Sequence, residues 1–154
     1  MSELWLGLVI GGPSVSGVLL DRAHDPPELV DQFTWSLQQG GRPEAYVVMH
    51  ERLFNFVRDQ QVSHVVIKAS AAARAGASLK HLESAELRGV AIAATASAGA
   101  GVHLLQKAVV TRTYGERSAD EYVADDDFWT NQVTGDVAKT RREAALLILA
   151  TPGA

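Results

Sequence analysis

The side chains of this chain that could do chemistry are its carboxylates, histidines and a few hydroxyl- and glycine-containing turns. Acids gather at Asp120, Glu121, Asp125, Asp126 and Asp127, with Asp136 and Glu143 further on. Clustered carboxylate oxygens are what hard divalent cations require, so the run is a candidate metal site. An acidic stretch at a helix start is also the ordinary look of a solvated face, favoured by the helix dipole without any function. His24, His50, His64, His81 and His103 show no metal-ligand spacing, and His50-Glu51-Arg52-Leu53-Phe54 is not the zinc-protease pattern. Gly12-Pro13-Ser14-Val15-Ser16 lacks the last glycine of a nucleophile elbow. Gly11-Gly12-Pro13-Ser14 lacks the Gly-Lys-Ser/Thr of a phosphate-binding loop. The chain has no cysteine, which excludes disulfides, thiolate metal sites and a cysteine nucleophile.

The elements that must position these groups start with Leu4 to Leu20, read as two strands turned at Gly11-Gly12-Pro13-Ser14. Leu4, Leu6, Leu8 and Ile10 take one face, while Trp5 and Val9 keep the other apolar, so the first strand belongs in the middle of a covered sheet. The hairpin carries no acid. Asp25-Pro26-Pro27 stops regular structure, and Glu28 to Leu37 alternates as a third strand nearer the edge. A loop then leads through Pro43 into an amphipathic helix over Glu44 to Gln61, with Tyr46, Met49, Leu53, Phe56 and Val57 on its apolar side. Val62 to Ala69 reads as a fourth strand reached by a right-handed crossover. Ser70 to Ser78, with Arg74 in its middle, reads as a mobile loop at the strand end where open α/β sheets bind ligands.

A second long helix is expected over Leu79 to Ala98, with Leu82, Ala85, Gly89, Ile92, Ala93 and Ala96 on one stripe. Gly99-Ala100-Gly101 ends it and Val102 to Gln106 reads as a fifth strand. Ser118 to Glu121 has the form of a capping box opening a helix that runs through Asp125 to Asp127 toward Trp129. The same pattern at Thr140 to Glu143 precedes the closing helix, with Asp136 in the loop before it.

The 154 residues are expected to form one domain, residues 1–154. With 14 Lys and Arg against 18 Asp and Glu, the net charge of −4 argues against a protein that coats nucleic acid by bulk charge, though not against a local basic patch. No apolar run approaches the ~20 residues that cross a bilayer, and no signal-like segment is seen. The expected location is the cytoplasm, with no membrane partner.

Three strands, helix, strand, helix, strand and closing helices is the order of the RNase H-like fold: α/β, with a mixed five-stranded sheet made of an antiparallel three-strand meander plus two parallel strands. Glu86-Leu87-Arg88-Gly89-Val90-Ala91 through Ala98-Gly99-Ala100-Gly101-Val102-His103 resembles the helix, glycine turn and fifth strand of RuvC-type Holliday-junction resolvases. Leu6-Gly7-Leu8 with Val15-Ser16-Gly17 resembles the same family's opening hairpin, and Glu143-Ala144-Ala145-Leu146 its final helix. The hairpin is also similar to the phosphate hairpin of sugar kinases and actin, but those enzymes close a cleft between two such domains.

The resemblance implies four carboxylates holding two divalent cations that activate water and stabilise the leaving oxygen of a phosphodiester. Those positions fall on Ile10, Lys68, Thr140 and Glu143, of which Glu143 alone is acidic. A hydrocarbon and an ammonium cannot ligate Mg²⁺, and the ammonium repels it. Lys68 either pairs with Glu143, the preferred reading, or joins Arg74, Arg141 and Arg142 in a phosphate-binding pocket. The expected function is therefore a non-catalytic binding or assembly module for nucleic acid or protein, with no cofactor and no metal. It is expected to dimerise through the small-residue helix Leu79 to Ala98. The alternatives are a divergent Mg²⁺- or Mn²⁺-dependent nuclease using Glu143, Asp136 and the acidic run, and a purely structural, self-associating subunit.

Overall fold

In the computed structural model, residues 1–71, 76, 78–114 and 117–153 are described, 111–114 by backbone alone. Three strands, β1 (Leu4–Ile10), β2 (Ser14–Asp21) and β3 (Glu28–Ser36), form the antiparallel meander. Helix α1 (Arg42–Gln60) crosses to β4 (His64–Lys68), which lies parallel to β1, and α2 (Leu79–Ser97) crosses to β5 (Gly101–Leu105), parallel to β4. The five-stranded sheet has the order β3-β2-β1-β4-β5. The chain ends in α3 (Lys107–Tyr114), α4 (Ala119–Ala124), α5 (Asp126–Gln132), a short 3₁₀ turn (Lys139–Arg141) and α6 (Arg142–Leu149). No helix among the described residues is long and apolar enough to cross a membrane.

Both faces of the sheet are covered, because β1 is apolar on both. Leu6, Leu8 and Ile10 pack with Val65 and Ile67 against α1 and α2, through Met49, Leu53, Leu87 and Ala91. Trp5 and Val66 pack on the other face against α6, through Ala144, Leu147 and Ile148. Gly7 sets how close α6 comes. A methyl there would overlap the carbonyl oxygen of Ala144 and lie 2.9 Å from its carbon. A glycine in a central strand weakens it unless another backbone must approach closely, and here one does.

Three sequence expectations change. The helix expected from Ser118 to Trp129 is two helices: Asp125 turns extended (φ −91°, ψ 98°) and its carboxylate accepts from the Phe128 N–H, ending α4 and capping α5. Thr140 does not cap α6; it lies in the 3₁₀ turn, and Arg141, which precedes α6, makes no side-chain cap. On α2 the buried stripe is Leu87, Arg88, Ala91, Ala94 and Thr95, whereas Leu82, Ala85, Gly89, Ala93 and Ala96 are exposed and Ile92 is half-buried. The phase is off by two positions, about 200° round the helix. Polar side chains sit in the true stripe because local partners satisfy them: Thr95 Oγ1 donates to the Ala91 carbonyl at 2.8 Å, and Arg88 reaches β4.

Candidate functional site: the carboxyl ends of β1 and β4

The parallel strands β1 and β4 end side by side, with Leu8 opposite Ile67, so Ile10 and Lys68 finish at the same sheet edge. The approach of α6 permitted by Gly7 brings Glu143, in that helix's first turn, over Lys68. Lys68 Nζ donates to Glu143 Oε2 at 2.9 Å, with side chains 28% and 30% exposed. A half-exposed pair of this kind contributes roughly 0–1 kcal/mol. Its consequence is electrostatic rather than energetic, since the carboxylate of the site is occupied by an ammonium. Ile10 is buried among apolar side chains, and its carbonyl accepts from Ser84 Oγ at 3.1 Å.

Arg88 enters from α2. Its Nε donates to the Lys68 carbonyl at 2.7 Å, Nη1 to Ser70 Oγ at 2.6 Å and Nη2 to Ser84 Oγ at 3.3 Å. It is 9% exposed, and burial pushes its guanidinium below its ordinary value while leaving it charged. Ile10, Lys68, Ser70, His81, Ser84 and Arg88 line a cleft of about 390 Å³ between the sheet edge and the start of α2. Sequence reasoning does not single out Arg88; its one signal is a cation between Leu87 and Gly89 in a stretch of small residues.

The other candidate cations lie elsewhere. Arg142 is buried on the far side of α6, where it donates to Asp126 Oδ1 at 2.8 Å and to the carbonyls of Val123 (3.0 Å) and Val137 (3.4 Å). Arg141 reaches over β3, its Nε 3.3 Å from Thr34 Oγ1, with β2 and β1 between it and β4. Lys68, Arg141 and Arg142 thus form no common pocket, and Arg74 lies outside the described residues. Thr140 is exposed in the 3₁₀ turn.

The acids do not converge either. Asp136 is exposed and lines a separate cleft with Arg142 and Asp126, away from Glu143. Asp120 pairs with Lys107 at 3.0 Å, and Glu121 completes the capping box with Ser118. The Phe128 N–H and then Arg117 hold the Asp125 carboxyl below its usual range, and the hydrogen bond from Arg142 does the same for Asp126. Among the described residues no group of three or more His, Asp or Glu side chains could hold a metal ion.

No protein-family model and no curated protein sequence matches the chain. Among the solved structures that share its architecture are two of RuvC. One is RuvC of Thermus thermophilus in complex with a Holliday-junction substrate, at TM-score 0.71 and 12% identity, covering 96% of this chain and 93% of that one. The other is Thermus thermophilus RuvC, at TM-score 0.70, with the same identity and coverage. The fold is therefore RNase H-like, of the RuvC form, as the resemblance implied. A pair of divalent cations does not fit the residues that stand at the ends of β1 and β4 and the start of α6: a hydrocarbon, an ammonium and one carboxylate already bonded to it.

Proposed function

We propose that this chain is a binding or assembly module on a RuvC-like scaffold that grips a nucleic-acid or protein partner and no longer hydrolyses phosphodiesters. The Lys68–Glu143 ion pair beside buried Ile10 carries this reading. Two-metal hydrolysis needs several oxygens around two dications, and a fixed ammonium in their place opposes cation entry. What supports nucleic acid as the partner is the cation excess at this edge, Lys68 and Arg88 against Glu143.

The expected result is that the protein retains junction and single-stranded DNA at low salt, with affinity falling linearly in log salt as phosphate contacts require. Neither Mg²⁺ nor Mn²⁺ should produce cleavage. Metal-dependent cutting that disappears in Glu143→Ala would establish the divergent nuclease instead, and tight self-association without DNA retention would leave a structural subunit.

Dimerisation through Leu79–Ala98 belongs to the same reading. The stripe Leu82, Ala85, Gly89, Ala93 and Ala96 faces outward, with Leu79 73% and Leu82 53% exposed. Small exposed residues let a second helix approach closely, and a carboxylate introduced there would meet its own copy across a two-fold axis. Sedimentation should show a dimer that Ala93→Glu splits; a wild-type monomer at every concentration would refute it.

A further inference from the structure

We infer that the cleft between the carboxyl ends of β1 and β4 and the start of α2 is an oxyanion site, with Arg88 as its binding group and phosphate as its ligand class. It rests on the proposed function only for the source of that phosphate, a diester of a nucleic-acid strand or free phosphate from solution.

The argument starts from an unbalanced charge. Arg88 is nine-tenths buried, yet every bond described for it goes to a neutral oxygen: the carbonyls of Lys68 and Ser84 and the hydroxyls of Ser70 and Ser84. Among the described residues no carboxylate lies within ion-pair distance of it. The acids of α2 are turned to α1 instead, Glu83 bonding Arg42 at 2.9 Å and Glu86 accepting from Tyr46 at 3.1 Å. Buried charges are almost always paired or engaged by a ligand, because an isolated one forfeits its hydration.

The geometry suits the missing partner. Bonds from Nε and Nη1 lock the guanidinium plane and, with the bond from Nη2 to Ser84 Oγ, leave one Nη2 N–H and the uncompensated positive charge for an oxyanion, set before a ligand arrives. The cleft adds the ammonium of Lys68, partly offset by Glu143, and the hydroxyl donor of Ser70, whose oxygen accepts from Arg88. Several donors around one cation favour a ligand with three or four acceptor oxygens over a simple carboxylate.

The test titrates inorganic phosphate into the full chain while following the Arg88 side-chain N–H resonance by NMR, with calorimetry alongside. Saturable binding that moves this resonance is expected. Removing Arg88 would also remove ties between β4 and α2, so the informative variant is Ala85→Glu. Position 85 is exposed, lines the cleft and makes none of the Arg88 bonds, so a carboxylate there gives the guanidinium an internal partner. In an Ala93→Glu background, which already splits the proposed α2 dimer, its melting temperature in phosphate-free buffer should match its parent's, while its phosphate affinity falls at least about tenfold, the scale of a lost charged hydrogen bond. A shift that never saturates, or equal affinity in the variant, overturns the site. A short single-stranded oligonucleotide that displaces phosphate identifies a strand backbone as the source; one that binds without displacing it identifies free phosphate, and both support the site. Saturable phosphate at Arg88 in a protein that retains no DNA would sink the nucleic-acid reading and leave the site intact. DNA retention with no phosphate saturation would do the reverse.

Discussion

Replacing Gly7 by alanine should cost the protein about 3–5 kcal/mol of stability, read as a lower urea midpoint with an unchanged slope. Overpacking a core usually costs ~1–3 kcal/mol because side chains turn aside. At Gly7 the new methyl meets the carbonyl oxygen and carbon of Ala144, and a helix backbone cannot rotate away from them. The helix itself must lift, which loosens Ala144, Leu147 and Ile148 from β1 and draws Glu143 back from Lys68. Against a typical domain stability of ~5–15 kcal/mol that is a large fraction. In the Ala93→Glu background, where the α2 stripe no longer pairs, Gly89→Ala is the matched control. It lies mid-helix with nothing within 4 Å of the added carbon, so it should stabilise by about 0.5–1 kcal/mol through helix propensity. Equal effects at the two positions would show that α6 does not depend on Gly7 for its seat.

Much of this architecture was legible because the punctuation is strong. Glycines and prolines mark the turns after β1 and β2, an apolar run marks β1 and a β-branched one β4, and the order of elements leaves few topologies open. The split of β1 into two faces also follows from its period of two, with Leu6, Leu8 and Ile10 toward α1 and α2 and Trp5 toward α6. Helix α2 was harder. Its exposed face is Ala- and Gly-rich, hence apolar by composition, while its inward face carries half-buried Ser84 with buried Arg88 and Thr95, each satisfied by a partner that hydrophobic periodicity does not see.

The order of elements is enough to bring together the centre of the candidate site but not its rim. Ile10, Lys68 and Glu143 were placed by element order, and the two strand ends and the first turn of α6 do meet. Arg141 and Arg142 stand within two residues of Glu143, and sequence proximity alone therefore groups them with Lys68. Successive residues at a helix start point about 100° apart, and here they serve three different sites: Arg141 reaches Thr34 over β3, Arg142 is buried against Asp126 and Val123, and Glu143 meets Lys68. Arg142 and Asp126 are 16 residues apart, a pairing that only the packing of α4 and α5 on α6 reveals.

Restoring carboxylates at the two strand ends should turn a site that rejects divalent cations into one that binds them. In the wild type, Mn²⁺ should leave the thermal midpoint unmoved, because the one carboxylate at the site, Glu143, is held by Lys68. Lys68→Asp reverses the charge and frees Glu143; adding Ile10→Asp gives three acids on three elements. Without metal the double variant should be markedly less stable than wild type. A buried ionised carboxylate costs several kcal/mol, Ile10 is buried in an apolar cluster, and crowded like charges raise one another's pKa. Mn²⁺ relieves both penalties. At a concentration about 100 times its dissociation constant it returns ~2.7 kcal/mol, so the midpoint should climb steeply with metal in the double variant, less in Lys68→Asp alone, and not at all in wild type. Lys68→Asp keeps Ile10 and its packing, so the comparison survives even if the double variant fails to fold without metal. A wild-type midpoint that itself rises with Mn²⁺ would show that the ammonium yields to the cation, and the case for lost hydrolysis would fail with it.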